Sequence, residues 1–140
     1  MKKIRVGVIG LGFIGKQHVE ALRRLPYIEI VAGSDSNLSM REWCEKNGIQ
    51  KYYSDYKEML TNENMDVVHN CTPNNFHYEV SCEILKTGCH VYSEKPLTIK
   101  SVEGESLIEL ADKKGLKTAV NFNYRNNLMV QEIQQRIQNG

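Results

Sequence analysis

Short apolar, β-branched runs alternate along the chain with longer stretches in which apolar residues recur three or four positions apart. This is the rhythm of strands alternating with amphipathic helices. Strands are predicted over residues 4–9, 28–33, a short piece around Tyr52, 67–71, 90–93 and 117–122. The intervening helices each carry one apolar face: Val19, Leu22 and Leu25; Phe76, Val80 and Ile84; Leu107, Leu110 and Ala111. Asn47-Gly48 and Lys114-Gly115, with Gly88 just after Lys86-Thr87, predict helix exits through a left-handed residue. Asp55 with Glu58 and Ser39 with Glu42 have capping-box spacing and mark two helix starts. Strands alternating with helices imply parallel pairing and right-handed crossovers, hence an α/β fold with a doubly wound, mostly parallel sheet. The last segment, residues 126–139, has Val130, Ile133 and Ile137 at helical spacing and ends at Gly140 where another strand is expected. The pattern therefore predicts a longer protein.

Composition narrows the class. A chain of 140 residues with 41% hydrophobic and 25% charged residues is expected to fold as one domain. Eighteen basic against seventeen acidic residues leave a net charge of +1, without a run of either sign. Nothing in that balance points to nucleic acid or an acidic partner. The N-terminal apolar stretch breaks at glycines before reaching signal-peptide form, and no apolar run approaches the roughly 20 residues that cross a bilayer. A cytoplasmic protein without membrane association is expected. Cys44, Cys71, Cys82 and Cys89 form no CxxC pair, so free thiols are expected and no metal site is predicted.

The candidate chemistry begins after the first strand. Gly10-Leu11-Gly12-Phe13-Ile14-Gly15 is a GxGxxG placed between a strand and a helix, where a dinucleotide-binding loop sits. Gly10 permits the turn, Gly12 lets the backbone approach a pyrophosphate, and Gly15 lets the helix pack closely. Free N–H groups at the helix start then face the phosphates, aided by the helix dipole. Twenty residues beyond Gly15 the second strand ends in Asp35, the separation expected of a carboxylate that bonds the adenosine ribose. An acid there favours NAD, because a 2′-phosphate would meet like charge; NADP is the alternative if Arg41, Ser34 and Ser36 reach the ribose. Asp35 also suits a turn before Asn37.

Three motifs in order give the chain a resemblance: the glycine loop followed by His18, then Cys71-Thr72-Pro73-Asn74-Asn75-Phe76-His77, then Glu94-Lys95-Pro96. Together they resemble the glucose-fructose oxidoreductase, inositol dehydrogenase and MocA-type oxidoreductases. The resemblance extends through Asn123-Tyr124-Arg125. It implies a Rossmann domain over residues 1–124 and, over 125–140, a helix leading toward a substrate domain that this chain does not contain. It further implies a cofactor site that includes Phe13, Ile14, Thr72, Pro73, Asn74, Asn75, His77, Glu94 and Lys95. Lys95 is the implied catalytic residue, since an ammonium can stabilise the alkoxide that develops as hydride leaves an alcohol carbon. His18 is assigned a structural role beside the phosphate turn, and His69 and His90 are assigned to the core or a sheet face.

The implied function is hydride transfer between NAD and a sugar, cyclitol or related polyol, with oligomers forming through the absent domain. Half a cleft neither aligns the reacting carbons nor excludes water, so this chain alone is expected to bind cofactor without turnover. A freestanding NAD-binding module, a methyltransferase and a scaffold that has lost its ligand are the alternatives.

Overall fold

The computed structural model describes residues 2–140, and Met1 lies outside them. In chain order the elements are β1 (Ile4–Ile9), α1 (Phe13–Arg23), β2 (Ile28–Ser34), α2 (Met40–Lys46), β3 (Tyr52–Tyr53), α3 (Tyr56–Asn62) and β4 (Val67–Asn70). They continue with α4 (His77–Lys86), β5 (His90–Ser93), α5 (Ser101–Lys114), β6 (Thr118–Val120) and α6 (Leu128–Asn139). Short 3-10 turns cover Asn74–Phe76 and Asn123–Asn126.

The strands form one sheet in the order β3-β2-β1-β4-β5-β6, with every pair parallel. Alternation along β1 feeds two cores. Val6 and Val8 pack with Val19 and Leu22 of α1 and Cys44 of α2. Ile9 faces the other way, toward Met59 of α3, Ile84 of α4 and Leu107 of α5. Chain order reverses between β1 and β4, and in such sheets a crevice opens outside the strands' carboxyl ends at that point.

Register places one residue from each strand on a common row. Ser34, Ile9, Asn70, Ser93 and Val120 are successive partners across β2, β1, β4, β5 and β6. The ladder continues one residue further: Gly10 N donates to Ser34 O, Cys71 N to Ile9 O, Glu94 N to Asn70 O and Asn121 N to Ser93 O, at 2.8–2.9 Å. The glycine loop, Asp35, Thr72, Lys95 and Asn121 therefore leave the sheet along one edge.

Several boundaries differ from the sequence pattern. β4 stops at Asn70, where Thr72 turns back and its Oγ1 donates to Asn70 Oδ1 at 2.7 Å, and β6 covers three residues, with Phe122 N bonding back to Val120 O. Asp55 caps α3, its Oδ1 accepting from Lys57 N. Ser39 does not cap α2: its backbone is already helical, and its N and Oγ both donate to Asn37 Oδ1. The glycine exits hold, with Gly48, Gly88 and Gly115 at positive φ.

Asn127 caps α6 by accepting from Met129 N and Val130 N, and every residue of α6 is exposed. The predicted break at 124/125 falls inside the Asn123–Asn126 turn. No helix among the described residues is long and apolar enough to cross a membrane.

Candidate functional site

A cleft of about 780 Å³ opens on the carboxyl edge, beneath the switch between β1 and β4. Gly10, Gly12, Phe13 and Ile14 form one wall, Asp35 lies at one end, and Thr72 and Pro73 stand opposite. Gly10 has φ +85°, and a β-carbon there would sit 2.5 Å from Cys71 O. A β-carbon on Gly15 would strike Gly10 O, so the loop closes on the first turn of α1. Gly12 is different: a β-carbon there meets nothing within 4 Å. Its small size answers no need of this chain's own packing.

Asp35 forms the turn before Asn37 and also reaches the glycine loop. Oδ2 accepts from Leu11 N at 2.7 Å, tying the end of β2 to the glycine loop, while Oδ1 accepts from Asn37 N at 2.8 Å. Each carboxylate oxygen keeps a second lone-pair site. The Tyr52 hydroxyl supports this turn by donating to Asp35 O at 2.5 Å. Burial and the neighbouring Asp35 charge raise the Tyr52 pKa, which keeps that donor protonated.

The remaining predicted residues divide. Asn74 and Asn75 lie exposed in the 3-10 turn after Pro73. His77 does not line the cleft as expected; it is fully buried, with Nδ1 2.6 Å from Pro96 O and Nε2 2.8 Å from Thr72 O. Both ring nitrogens are thus taken up joining the turn after β4 to the turn after β5. Asn70, also fully buried, backs this turn, its Nδ2 donating to His77 O and Ser81 Oγ.

Glu94 departs from its expected place too. It is 9% exposed, behind the cleft wall, and its Oε1 accepts from Asn121 Nδ2 at 2.6 Å and lies 2.9 Å from His18 Nε2. Burial alone would raise its pKa, but the hydrogen bonds from Asn121, His18 and the Lys95 amide more than offset that and hold the carboxyl below its usual range. His18 in turn meets His69, Nδ1 to Nδ1 at 2.8 Å. Burial, reinforced by His18, pushes the His69 pKa down to about 3. Lys95 is exposed at the end of β5, and its peptide bond to Pro96 is cis.

The sequence pattern missed the cleft's far end, where Ser54, Asp55, Tyr56 and Lys57 join the lining. Their signal was position, directly after β3, at the carboxyl edge of a parallel sheet. It also missed fully buried Asn70 and half-buried Asn121, whose signal was a carboxamide at a strand end.

Residues 4–122 match the family described as an oxidoreductase family with an NAD-binding Rossmann fold, the glucose-fructose oxidoreductase, inositol dehydrogenase and MocA group. The chain belongs to that family. Over 139 residues it is 34% identical to D-glucoside 3-dehydrogenase of Escherichia coli, covering 98% of this chain and 40% of that protein. Over 138 residues it is 33% identical to myo-inositol 2-dehydrogenase of Thermotoga maritima, covering 98% and 41%. The WlbA dehydrogenase of Bordetella pertussis, solved in complex with NADH and UDP-GlcNAcA, superposes with a TM-score of 0.91 at 28% identity, covering 99% of this chain and 39% of that one. The chain thus spans about two fifths of the length of the relatives it matches.

Proposed function

We propose that this chain is the cofactor-binding part of an oxidoreductase that transfers hydride between NAD and a hydroxyl carbon of a sugar, cyclitol or related polyol. The observation that carries the reading is Gly12: a glycine whose side toward the cleft is open, between two glycines that the fold itself requires. The amides at the start of α1 suit a pyrophosphate, and the free lone pairs of Asp35 suit ribose hydroxyls. Exposed Phe13 and Ile14 offer apolar surface on one wall, with Thr72 and Pro73 on the other and Asn74 and Asn75 at the rim. NAD, when bound, supplies the hydride acceptor. Lys95, exposed just after β5 on the same carboxyl edge of the sheet but outside the residues that line the cleft, is assigned to the substrate oxygen, where its ammonium stabilises developing negative charge.

The polyol class is supported by the names of the relatives, and NAD over NADP by the Asp35 charge, which repels a 2′-phosphate. Isolated turnover is not expected, because Lys95 is exposed and the reacting carbons beside it would stand open to water.

Calorimetric titration of the chain with NADH and NADPH tests the reading. NADH is expected to bind, and NADPH about tenfold more weakly or worse, the factor that corresponds to about 1.4 kcal/mol. Asp35→Ala should lower NADH affinity by about tenfold, because it removes a charged acceptor and also frees Leu11 N in the loop. NADPH binding as tight as NADH would overturn the cofactor choice, and no binding of either would overturn the site.

A further inference from the structure

Polar residues behind the cleft, two of them buried and two half-buried, join four elements around one carboxylate. His18 comes from α1, just beyond the glycine loop, and His69 from β4; Glu94 follows β5, and Asn121 follows β6. Glu94 Oε1 receives His18 Nε2 and Asn121 Nδ2, while Oε2 accepts the backbone N–H of Lys95 at 3.1 Å. Asn121 is itself oriented by the Tyr92 hydroxyl, which donates to Asn121 Oδ1 at 3.1 Å. No buried side-chain nitrogen or oxygen among the described residues lacks a partner.

A charged carboxylate is a costly way to fill this space. Apolar side chains of similar volume would hold the same elements together at least as well, since desolvating a charge offsets much of what its partners return. What the carboxylate adds is direction. Strand pairing ends with Glu94 N bonded to Asn70 O, and the next peptide N–H, that of Lys95, is held by the Glu94 side chain. On the opposite side the carbonyl of Pro96 is held by His77. The main chain carrying Lys95 is therefore gripped from both sides, and through His18 one grip reaches back to the helix that begins at the glycine loop.

We propose that His18, Glu94 and Asn121 are positioning residues that fix the Lys95 peptide relative to the glycine-loop helix, so that the pyrophosphate seat and the lysine keep one geometry. The inference rests on the roles given above to the glycine loop and to Lys95. It assigns Glu94 to the support of the site and not to contact with the cofactor.

Hydrogen exchange read residue by residue separates this role from a general contribution to stability. The reference is the Val91 amide, bonded to Lys117 O at 3.0 Å within the same sheet. His18→Leu removes the ring donor, and His18→Gln keeps an amide donor that can reach Glu94. His18→Leu is expected to speed exchange at Lys95 by at least about tenfold more than at Val91, a local opening and not a global one. The same variant should weaken NADH by about fivefold while leaving ADP-ribose, which lacks the nicotinamide, within about twofold. His18→Gln should restore both readings. Equal acceleration at Lys95 and Val91, or no recovery in His18→Gln, would overturn the positioning role. Wild-type protein that binds neither NADH nor ADP-ribose would instead defeat the cofactor reading, and the ratio of Lys95 to Val91 exchange would still decide whether the grip exists.

Discussion

Gly12→Ala is expected to abolish most NADH binding while leaving the fold as stable as before, and Gly15→Ala to remove both binding and stability. The two glycines lie three residues apart in one loop, yet their surroundings are opposite. A methyl on Gly12 enters open cleft, and its backbone, at φ −65° and ψ −162°, is ordinary for any residue. Unfolding free energy should therefore stay within about 0.5 kcal/mol of wild type. The methyl would occupy space that a pyrophosphate needs in order to reach the amides, at a cost of about 2 kcal/mol or roughly thirtyfold in affinity. A methyl on Gly15 meets the Gly10 carbonyl oxygen, with Gly10 C at 2.9 Å. Backbone cannot rotate away as a side chain would. Alanine gains about 1 kcal/mol in helix propensity over glycine, but displacing the loop should cost more, for a net loss of about 3 kcal/mol. Denaturant unfolding and NADH titration on both variants check the pair. Wild-type affinity in Gly12→Ala would mean that no ligand backbone or phosphate approaches there.

That contrast also marks how far the sequence could be read. The glycine spacing, the acid twenty residues on and the strand–helix rhythm were local patterns, and each corresponds to an element in place. The register of five strands then carries Asp35, Gly10, Thr72 and Lys95 to one edge, as parallel topology requires. What was not legible was which way a side chain turns once there. Glu94 and Lys95 are neighbours in sequence, but one turns inward to His18 and the other outward to solvent. The family resemblance put His77 in the cleft with Thr72 and Pro73; the 3-10 turn at Asn74–Phe76 instead swings it under the loop, where its two ring nitrogens lie against two carbonyls. Asn121 lies 103 residues from His18 and 27 from Glu94, so no spacing rule connects them. Likewise the Ser39 cap failed because its own N–H and hydroxyl both donate to the side-chain oxygen of Asn37, two residues earlier.

The histidine pair beside Glu94 gives the domain an acid-sensitive stability with a defined window. His69 is held neutral by burial and by His18, with its pKa pushed down to about 3, and its ring stacks on Tyr92 at 4.7 Å. In the unfolded chain a histidine titrates near 6.5. Above that pH neither state binds the proton and His69 is neutral to stability. Below it the unfolded state takes up a proton that the folded state refuses, so stability falls as pH drops from about 6.5 toward 3. The ring is only half-buried, and with that screening the loss between pH 6.5 and 4.5 should be about 2 kcal/mol. The carboxylates of Glu94 and Glu63 act lower down. Hydrogen bonds from Asn121 and His18 to Glu94, and from Tyr53 and Lys51 to Glu63, outweigh burial and hold both pKa values below the usual range. Their stabilisation is present above the ordinary carboxylate pKa and is lost as pH falls through the lowered ones. Urea unfolding at pH 7, 6, 5 and 4 should thus show a gradual decline first and a steeper one near pH 4. His69→Gln should start from a lower stability, flatten the stretch between pH 6.5 and 4.5, and leave the steep acid limb in place. Parallel curves for the two proteins would mean that His69 takes up its proton as readily folded as unfolded, and that the site beside Glu94 is open to water.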